Sequence, residues 1–321
     1  MRRAALGLLL LGGLVQCRHL GRRATLAYTA VAIRLSPDAV RFTLDRSFLE
    51  TYKDRVTMET MFTVDDASEP SPNLFDGDLH FSGRAPEIGL RTVGELINAS
   101  EMDSAVALVK QAAKSRQPIR LAGVWRLWPE HALGAPEAQG QPSAPLENPF
   151  PDHVFEIHPV TLIGSRSLLD SFHPVEGYRP GAAKRTFGLY EGARLKLRVA
   201  PTTVTLDTPP SLYNDVHFLM EVTGADQRIV PGGRFVTGSA LDTEGNLLVG
   251  GLRMVFVEGT SPERSVIGAK PGTRFHVYGL PRVSFAEISR RIRSASGPEP
   301  IEGALPYEIV VLGIFPPDSP P

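Results

Sequence analysis

The chain has 321 residues, 42% of them hydrophobic and 21% charged, which describes a globular protein and excludes a wholly disordered one. Its 34 basic and 35 acidic residues leave a net charge of −1, and this balance argues against binding of nucleic acid or anionic membranes through bulk electrostatics. The single cysteine excludes an intrachain disulfide and a metal cage built from cysteines.

The N-terminus has the pattern of an export signal. Two arginines precede an apolar run from Ala4 to Val15, which has signal-peptide length and is too short to span a bilayer. Cys17 falls where a lipoprotein signal places its acylated residue, although the glutamine before it departs from the usual small residue. We predict a signal peptide at 1–17 and an exported protein that is periplasmic, extracellular or tethered to a membrane through its N-terminus. Acylation of Cys17 and an unmodified cysteine at the end of the signal are both open.

Alternation of apolar and polar residues predicts a β-rich first half. The predicted strands lie at 25–31, 57–64, 76–81, 119–128 and 154–163. One helix is predicted from the capping residue Ser100 to about Lys114. The segment from Glu130 to Pro151 is rich in Pro, Ala and Gln without periodicity, and we expect a long loop there.

The second half has the same β-rich character. Its predicted strands lie at 193–199, 204–206, 216–222, 234–241, 247–257, 274–278 and 307–313. Ser284 and Glu287 form a capping-box pattern, which predicts a helix from 285 to about 294. The motifs of the two halves differ, so the sequence shows no convincing internal repeat, and we expect the domain boundary between 169 and 181.

Two short segments carry acidic and imidazole groups at alternate positions. The first contains Asp76, Asp78 and His80, and the second contains Glu156 and His158. Because alternate side chains of a strand point to the same face, we expect each set to converge on one side of its strand. Carboxylates and imidazoles on one face are what a divalent metal or an acid–base pair requires.

Four elements of the first half occur in a recognisable order: Asp76-Gly-Asp78-Leu-His80, Gly123-Val-Trp125, His131, and Glu156-Ile-His158-Pro-Val. In this order they resemble an uncharacterised group of exported bacterial domains, over residues 57–165. Two features depart from that group: the loop after His131 is long, and the segment at 83–87 lacks the group's apolar-acidic character. The resemblance implies a small OB-like β-barrel and no established activity. We therefore predict a mainly β fold, with an OB-like β-barrel at 24–168 followed by a second β-rich domain at 182–316 with one C-terminal helix.

The same residues carry the functional hypotheses. A binding site would be formed by the acidic, imidazole and indole groups of the first half, namely Asp76, Asp78, His80, His131, Glu156, His158 and Trp125. Its metal ligands would be Asp78, His80, Glu156 and His158, and the cofactor would be a divalent ion such as Zn²⁺, Mn²⁺ or Ca²⁺. The alternatives are a hydrogen-bonded network that holds the strands together and a solvated face without function. Trp125 would either contact a ligand or pack in the core.

The sequence contains no Gly-rich phosphate loop, no G-x-S-x-G elbow and no H-E-x-x-H motif. We therefore expect an exported or envelope-associated binding or structural protein. Its partner would be an oligosaccharide or a peptide rather than nucleic acid, and it would contact a membrane only through its N-terminus. The alternative is a metal-dependent hydrolase that uses the Asp76/Asp78/His80 and Glu156/His158 cluster. Enzymatic activity is left open by the sequence.

Overall fold

The computed structural model describes residues 40–132, 136–141, 144–210 and 213–316. The predicted signal peptide, Cys17 and the predicted strand at 25–31 lie outside these residues and stay predictions. Of the helices in the described ranges, none is both long enough and apolar enough to cross a membrane.

The described ranges are rich in strands, as predicted. The strands of the first half are β1 (Val40–Asp45), β2 (Thr57–Ala67), β3 (Leu79–Arg84), β4 (Thr92–Leu96), β5 (Ile119–Leu127), β6 (Glu137–Ala138), β7 (Phe155–Ile163) and β8 (Arg166–Ser167). Those of the second half are β9 (Arg194–Val199), β10 (Thr203–Thr208), β11 (Val216–Val230), β12 (Gly233–Leu241), β13 (Leu247–Val257), β14 (Arg274–Val283), β15 (Ile301–Ala304) and β16 (Tyr307–Ile314). The α-helices are α1 (Arg46–Tyr52), α2 (Asp103–Ser115), α3 (Ala183–Gly192), α4 (Ser261–Val266) and α5 (Phe285–Ser294).

Strands β2, β3, β4, β7 and β5 follow one another around the first barrel. Neighbours are antiparallel except for β4 and β7, which run parallel and close the ring. Alternate residues of β2, including Met58, Phe62 and Val64, are buried, and this period of two gives the barrel an apolar interior. Helix α2 follows β4 in the chain and buries one face at helical spacing. The predicted mainly β class and OB-like barrel are confirmed.

The second half of the chain also forms a closed barrel, in which the strands follow one another in the order β11, β12, β13, β16 and β14. Its third and fifth strands, β13 and β16, are again the parallel pair, and helix α4 lies between its third and fourth strands. The predicted C-terminal helix is present as α5. The two barrels therefore share one strand order, and our conclusion that the chain has no internal repeat was wrong, because the repeat lies in the topology rather than in long motifs.

A third sheet takes strands from both sides of the predicted domain boundary. Its order is β15, β9, β10, β1 and β6, and β1 pairs with β10 along its whole length. The described residues, from Val40 onward, fall within one compact unit. The boundary between 169 and 181 stays a prediction, and the third sheet adds a connection that the sequence did not indicate.

Several local predictions differ from the structure. Helices α1, α3 and α4 were not predicted, since α1 and α4 have only seven and six residues and cannot show a helical period. The strand predicted at 76–81 begins only at Leu79, because a short 3₁₀ turn at Asn73–Phe75 precedes it and Asp76 has a φ of 120°. The loop predicted between Glu130 and Pro151 contains the short strand β6, which pairs with β1.

Two buried arginines join the barrels. Arg126 on β5 donates from Nε to the carbonyl of Pro281 at 2.9 Å, and Arg282 on β14 donates from Nη1 to the carbonyl of Trp125 at 3.1 Å. Each arginine thus contacts the residue that precedes the other arginine in the chain. Such a reciprocal pattern is the mark of an isologous interface between two-fold related copies, so the barrels pack within one chain as two subunits pack in a symmetric dimer.

The repeat also extends to the residues around these arginines. Gly123-Val-Trp-Arg126 on β5 corresponds to Gly279-Leu-Pro-Arg282 on β14, and both are fourth strands of their barrels. Arg126 pairs with Glu156 and Arg282 pairs with Glu308, each glutamate lying on the fifth strand of the same barrel. The arginine–glutamate pair is therefore a structural element that occurs once in each barrel.

The interior of the first barrel leaves no room for a larger residue at Gly94. A Cβ at this position would lie 2.3 Å from Cζ and 2.5 Å from Cε2 of the buried Phe81 ring. We expect Gly94→Ala to lower the free energy of unfolding by about 1–3 kcal/mol, the usual effect of overpacking. Equilibrium unfolding in urea measures it. Gly250→Ala is the control, because a Cβ there meets nothing within 4 Å; equal losses in both variants would contradict the packing argument.

Candidate metal centre

His158, on β7, is buried among three carboxylates on the face of the barrel wall that lies opposite to the apolar interior. Its Nε2 is 3.3 Å from Oδ2 of Asp78, and its Nδ1 is 2.9 Å from Oε2 of Glu95 and 3.4 Å from Oε2 of Glu156. Asp78, Glu95 and His158 are 3%, 1% and 1% exposed. Each of these three residues can offer one ligand atom so that the atoms lie within 4.8 Å of one another. We call Asp78, Glu95 and His158 the central triad.

Barrel strands position the triad and its neighbour His80. Glu95 on β4 stands directly opposite His80 on β3 in the strand register, and Nε2 of His80 is 3.4 Å from Oε2 of Glu95. Asp78 lies just before β3, and its backbone N–H donates to Oδ1 of Asp76 at 3.2 Å. Because β4 pairs in parallel with β7, Glu95 and His158 come together from strands far apart in the chain.

The ring nitrogens and carboxylates of the triad are close to one another but poorly aligned for hydrogen bonds. Around the triad, six buried polar atoms make no hydrogen bond of good geometry with the described residues: Oδ1 of Asp78, Nδ1 of His80, both carboxylate oxygens of Glu95 and both ring nitrogens of His158. Buried polar groups are nearly always paired, and a cluster of unpaired ones calls for an ion or ordered water.

Burial and mutual attraction shift the pKa values of these groups strongly. Burial opposes ionisation of Glu95, but the charges of His158 and His80 outweigh it and lower the pKa of Glu95 to about 2. Burial alone would lower the pKa of His158, yet the carboxylates of Glu95 and Asp78 raise it well above its ordinary value. Burial raises the pKa of Asp78 well above its ordinary value and that of Asp76 to about 6. Without a bound cation, burial therefore favours a neutral carboxyl at Asp78.

A second group lies beside the triad. His131, His153 and Glu156 can also bring one ligand atom each within 4.8 Å of one another. In this group, however, the buried side chains already have partners. Glu156 pairs with Arg126 and accepts a hydrogen bond from Nε2 of His153 at 3.2 Å. The other ring nitrogen of His153 lies 2.7 Å from the carbonyl of Pro151. This second group is complete as a hydrogen-bonded network, whereas the triad is not.

Comparison of the two barrels distinguishes residues that occur in both of them from residues that occur only in the first. Glu156 and Arg126 recur as Glu308 and Arg282, so their pairing serves the packing of the barrels. Two residues after Glu156 is His158, whereas two residues after Glu308 is the apolar Val310. The imidazole at the centre of the triad therefore has no counterpart in the second barrel and is not required by the fold.

The structure brings together most of the residues that the sequence indicated. Asp78, His80, Glu156 and His158 come together on one face of the barrel wall, and Asp76 lies beside them through its contact with the backbone of Asp78. His131 lies at the edge, with 42% of its side chain exposed, and its ring stacks on His153 at a centroid distance of 5.0 Å.

Trp125 lies elsewhere. It is fully buried between the ring of Phe285, at 4.4 Å, and the guanidinium of Arg282, at 3.7 Å. Of the two roles considered for it, the structure places it in core packing, at the interface of the barrels. It does not face the triad's carboxylates.

Sequence reasoning missed Glu95, Arg126 and His153. Glu95 follows Val93 and Gly94 in a short strand whose residues are all buried. A lone carboxylate in an apolar strand is itself a signal, because a charge is rarely buried without a partner or a metal. No such signal marks Arg126. An arginine close to Trp125 and Trp128 in the sequence is expected at a surface as readily as in a buried ion pair.

The residues of the triad fit a divalent cation of borderline softness. One imidazole and two carboxylates, with the second imidazole of His80 alongside, are donors that Zn²⁺ and Mn²⁺ accept. Ca²⁺ prefers six to eight oxygen ligands, and the triad offers fewer. A divalent ion would balance the charges of two ionised carboxylates next to a neutral imidazole. It would also satisfy the orphaned oxygens of Glu95 and Asp78.

Comparison with known proteins adds little to this description. No family model and no curated protein matches the chain. Among solved structures, it is similar to a deletion mutant of the single-stranded DNA binding protein from Thermus aquaticus, with 10% identity and a TM-score of 0.20, over 86% of this chain and 98% of that chain. A structure described as "Structural mimicry for functional antagonism" is 11% identical with a TM-score of 0.18, over 83% of this chain and 94% of that chain. Scores this low carry no argument about function.

Proposed function

We propose that this protein is an exported or envelope-associated binding protein whose first barrel holds one divalent cation at Asp78, Glu95 and His158. The observation that carries the proposal is the set of orphaned, buried ligand atoms at the triad. Without a cation, Oδ1 of Asp78 and Oε1 of Glu95 have no hydrogen-bond partner among the described residues, at a cost of about 1–3 kcal/mol for each buried group. A bound cation removes that cost.

The cation has a structural role in this proposal. The three ligands are at most 3% exposed, and structural metal sites are closed, whereas catalytic ones keep a coordination position open to water or substrate. A metal-dependent hydrolase is therefore supported less well than a binding protein. The ligand that we expect on the barrel surface, an oligosaccharide or a peptide, follows from the binding habits of OB-like barrels and is part of the proposal. Export and a tether through the N-terminus are part of it as well.

Elemental analysis of the purified protein tests the cation. We expect about one Zn²⁺ or Mn²⁺ per chain after dialysis, and we expect its loss in Glu95→Gln, which keeps the shape of the side chain but removes the negative charge that attracts a cation. His173→Ala is the matched control, since His173 is a half-exposed histidine that pairs with Glu101 outside the triad. A wild-type protein that holds no metal, and that Zn²⁺, Mn²⁺ and Ca²⁺ all fail to stabilise, would contradict the proposal.

A further inference from the structure

A cavity of about 410 Å³ lies at the second barrel, away from the triad. Its lining comes from two chain segments and one strand residue: Arg179 to Lys184, the turn from Asp242 to Glu244, and His217 on β11. The volume falls within the range of small-molecule sites. None of these residues takes part in the contacts of the central triad described above.

The first segment leads into helix α3, which has ten residues. The N-cap residue, Ala182, has no side chain that can accept a hydrogen bond, so no side-chain cap satisfies the first backbone N–H groups of the helix. Lys184, in the first turn, adds a positive charge at the same place. The N-terminus of a helix with free N–H groups and a nearby cation attracts a carboxylate or a phosphate.

His217 is the second and independent sign of a ligand. It forms part of the cavity lining, is only 8% exposed, and its Nε2 has no hydrogen-bond partner within the described residues. Its backbone N–H donates to the carbonyl of Gly181 at 3.1 Å, which fixes the strand beside the start of α3. A buried nitrogen without a partner is expected to find one in the ligand, and Nε2–H can donate to a ligand oxygen in the tautomer that carries the proton there.

The turn from Asp242 to Glu244 gives the cavity an acidic side. The carboxylate of Asp242 accepts from the backbone N–H groups of Glu244 and Asn246, at 3.0 and 2.8 Å, which holds the turn in place. The hydrogen bonds from Asn246 lower the pKa of Asp242, and the charge of Lys184 adds to this effect, so the two segments are within electrostatic reach. A phosphate dianion would be repelled by this side, whereas an ammonium group would be attracted to it.

We propose that this cavity binds a small zwitterion, namely a free α-amino acid. Its carboxylate lies at the N-terminus of α3 near Lys184 and His217, and its ammonium group faces Asp242 and Glu244. The site is independent of the cation in the first barrel, and neither proposal depends on the other.

Calorimetric titration of the full chain with four probes tests this proposal. The probes are L-alanine, acetate, methylammonium and inorganic phosphate at equal ionic strength. We expect L-alanine to bind at one site and the other three probes, which carry charge of only one sign, to bind at least about tenfold more weakly, because each lacks one of the two charge-assisted contacts. Acetate or phosphate binding as tightly as L-alanine would overturn the proposal, as would the absence of any heat with L-alanine at millimolar concentration.

Variants of exposed residues avoid the risk of unfolding the barrel. Lys184→Ala and Glu244→Gln are each expected to weaken L-alanine binding by about tenfold or more, and both positions are exposed. Lys114→Ala, an exposed lysine on α2 in the first barrel, is the control and should leave the affinity unchanged. His217→Gln should weaken binding as well. Unchanged affinity in both Lys184→Ala and Glu244→Gln would overturn the proposal.

Discussion

Replacing Glu308 with leucine is expected to lower the free energy of unfolding by about 3–5 kcal/mol, the usual effect of breaking a buried ion pair. Glu308 and Arg282 are both 0% exposed, and Oε1 of Glu308 lies 2.7 Å from Nε of Arg282. Without the carboxylate, the guanidinium of Arg282 would stay buried with only the carbonyls of Val56, Trp125 and Arg55 as partners. Burial already lowers the pKa of Arg282 to about 10 despite the nearby charge of Glu308. Urea unfolding monitored by tryptophan fluorescence measures the loss, since Trp125 packs on this guanidinium.

A second substitution shows whether the buried charge is the cause. Glu308 also pairs with Arg253, whose side chain is 21% exposed and can be solvated when the carboxylate is lost. Arg282→Met in the Glu308→Leu background removes the fully buried cation, and we expect most of the lost stability to return. The pair of Arg274 and Glu221 on β14 and β11 is the control, because it joins neighbouring strands but is exposed. Arg274→Ala should change the free energy of unfolding by less than about 1 kcal/mol. If the double variant were as unstable as Glu308→Leu, the loss would come from packing rather than from charge.

The same pair of residues shows where sequence reasoning ends. Most of the longer strands and the helices α2 and α5 follow from local patterns, because a period of two or of 3.6 is visible within a few residues. The cap predicted at Ser284 is present, whereas α2 begins after Met102 and has no side-chain cap at Ser100. Strands β1, β4 and β15 were not predicted. The repeat of Gly-x-x-Arg on the fourth strand and of aromatic-Glu-Ile on the fifth is only four and three residues long, and chance produces such matches easily. The repeat can be recognised only in the structure, where Arg126 contacts Pro281 and Arg282 contacts Trp125.

For the candidate site as well, the sequence indicates the separate segments but not the contacts between them. The alternation of Asp78 and His80, and of Glu156 and His158, indicated two segments that the structure brings together. Their meeting depends on the parallel pairing of β4 with β7, which is a long-range contact that no local pattern encodes. The same pairing brings Glu95 next to His158, a contact that no pattern in the sequence indicates. Glu156 was indicated as a metal ligand, yet its partner in the structure is Arg126.

Without a bound cation, the triad should stabilise the protein only within a window of pH. The pKa of Glu95 in the folded protein is about 2, below its ordinary value of 4.5, so its contribution is present above pH 4.5 and is lost as the pH falls toward 2. The pKa of His158 is raised above 6.5, so its contribution is full below pH 6.5 and is lost as the pH rises through the raised value. Asp78, whose pKa burial also raises, contributes fully only below its ordinary value of 3.8 and loses this contribution as the pH rises through the raised value. As far as Glu95 and His158 are concerned, protein treated with a chelator should therefore be most stable between about pH 4.5 and 6.5, and Asp78 shifts the maximum toward the lower end of this range.

A bound cation reverses the dependence of stability on pH at the upper end of this range. The metal requires a neutral, deprotonated imidazole at His158, so its stabilising effect grows as the pH rises through the histidine range. We expect the difference in melting temperature between protein with Zn²⁺ and protein with chelator to be small at pH 5 and large at pH 8. At a free ion concentration a thousandfold above Kd the difference corresponds to about 4 kcal/mol. His158→Ala should abolish it at every pH, while His173→Ala should retain it. A Zn²⁺ effect that is equal at both pH values, or that survives in His158→Ala, would show that the ion binds outside the triad, and the unpaired atoms of Glu95 and His158 would then have to be satisfied by water.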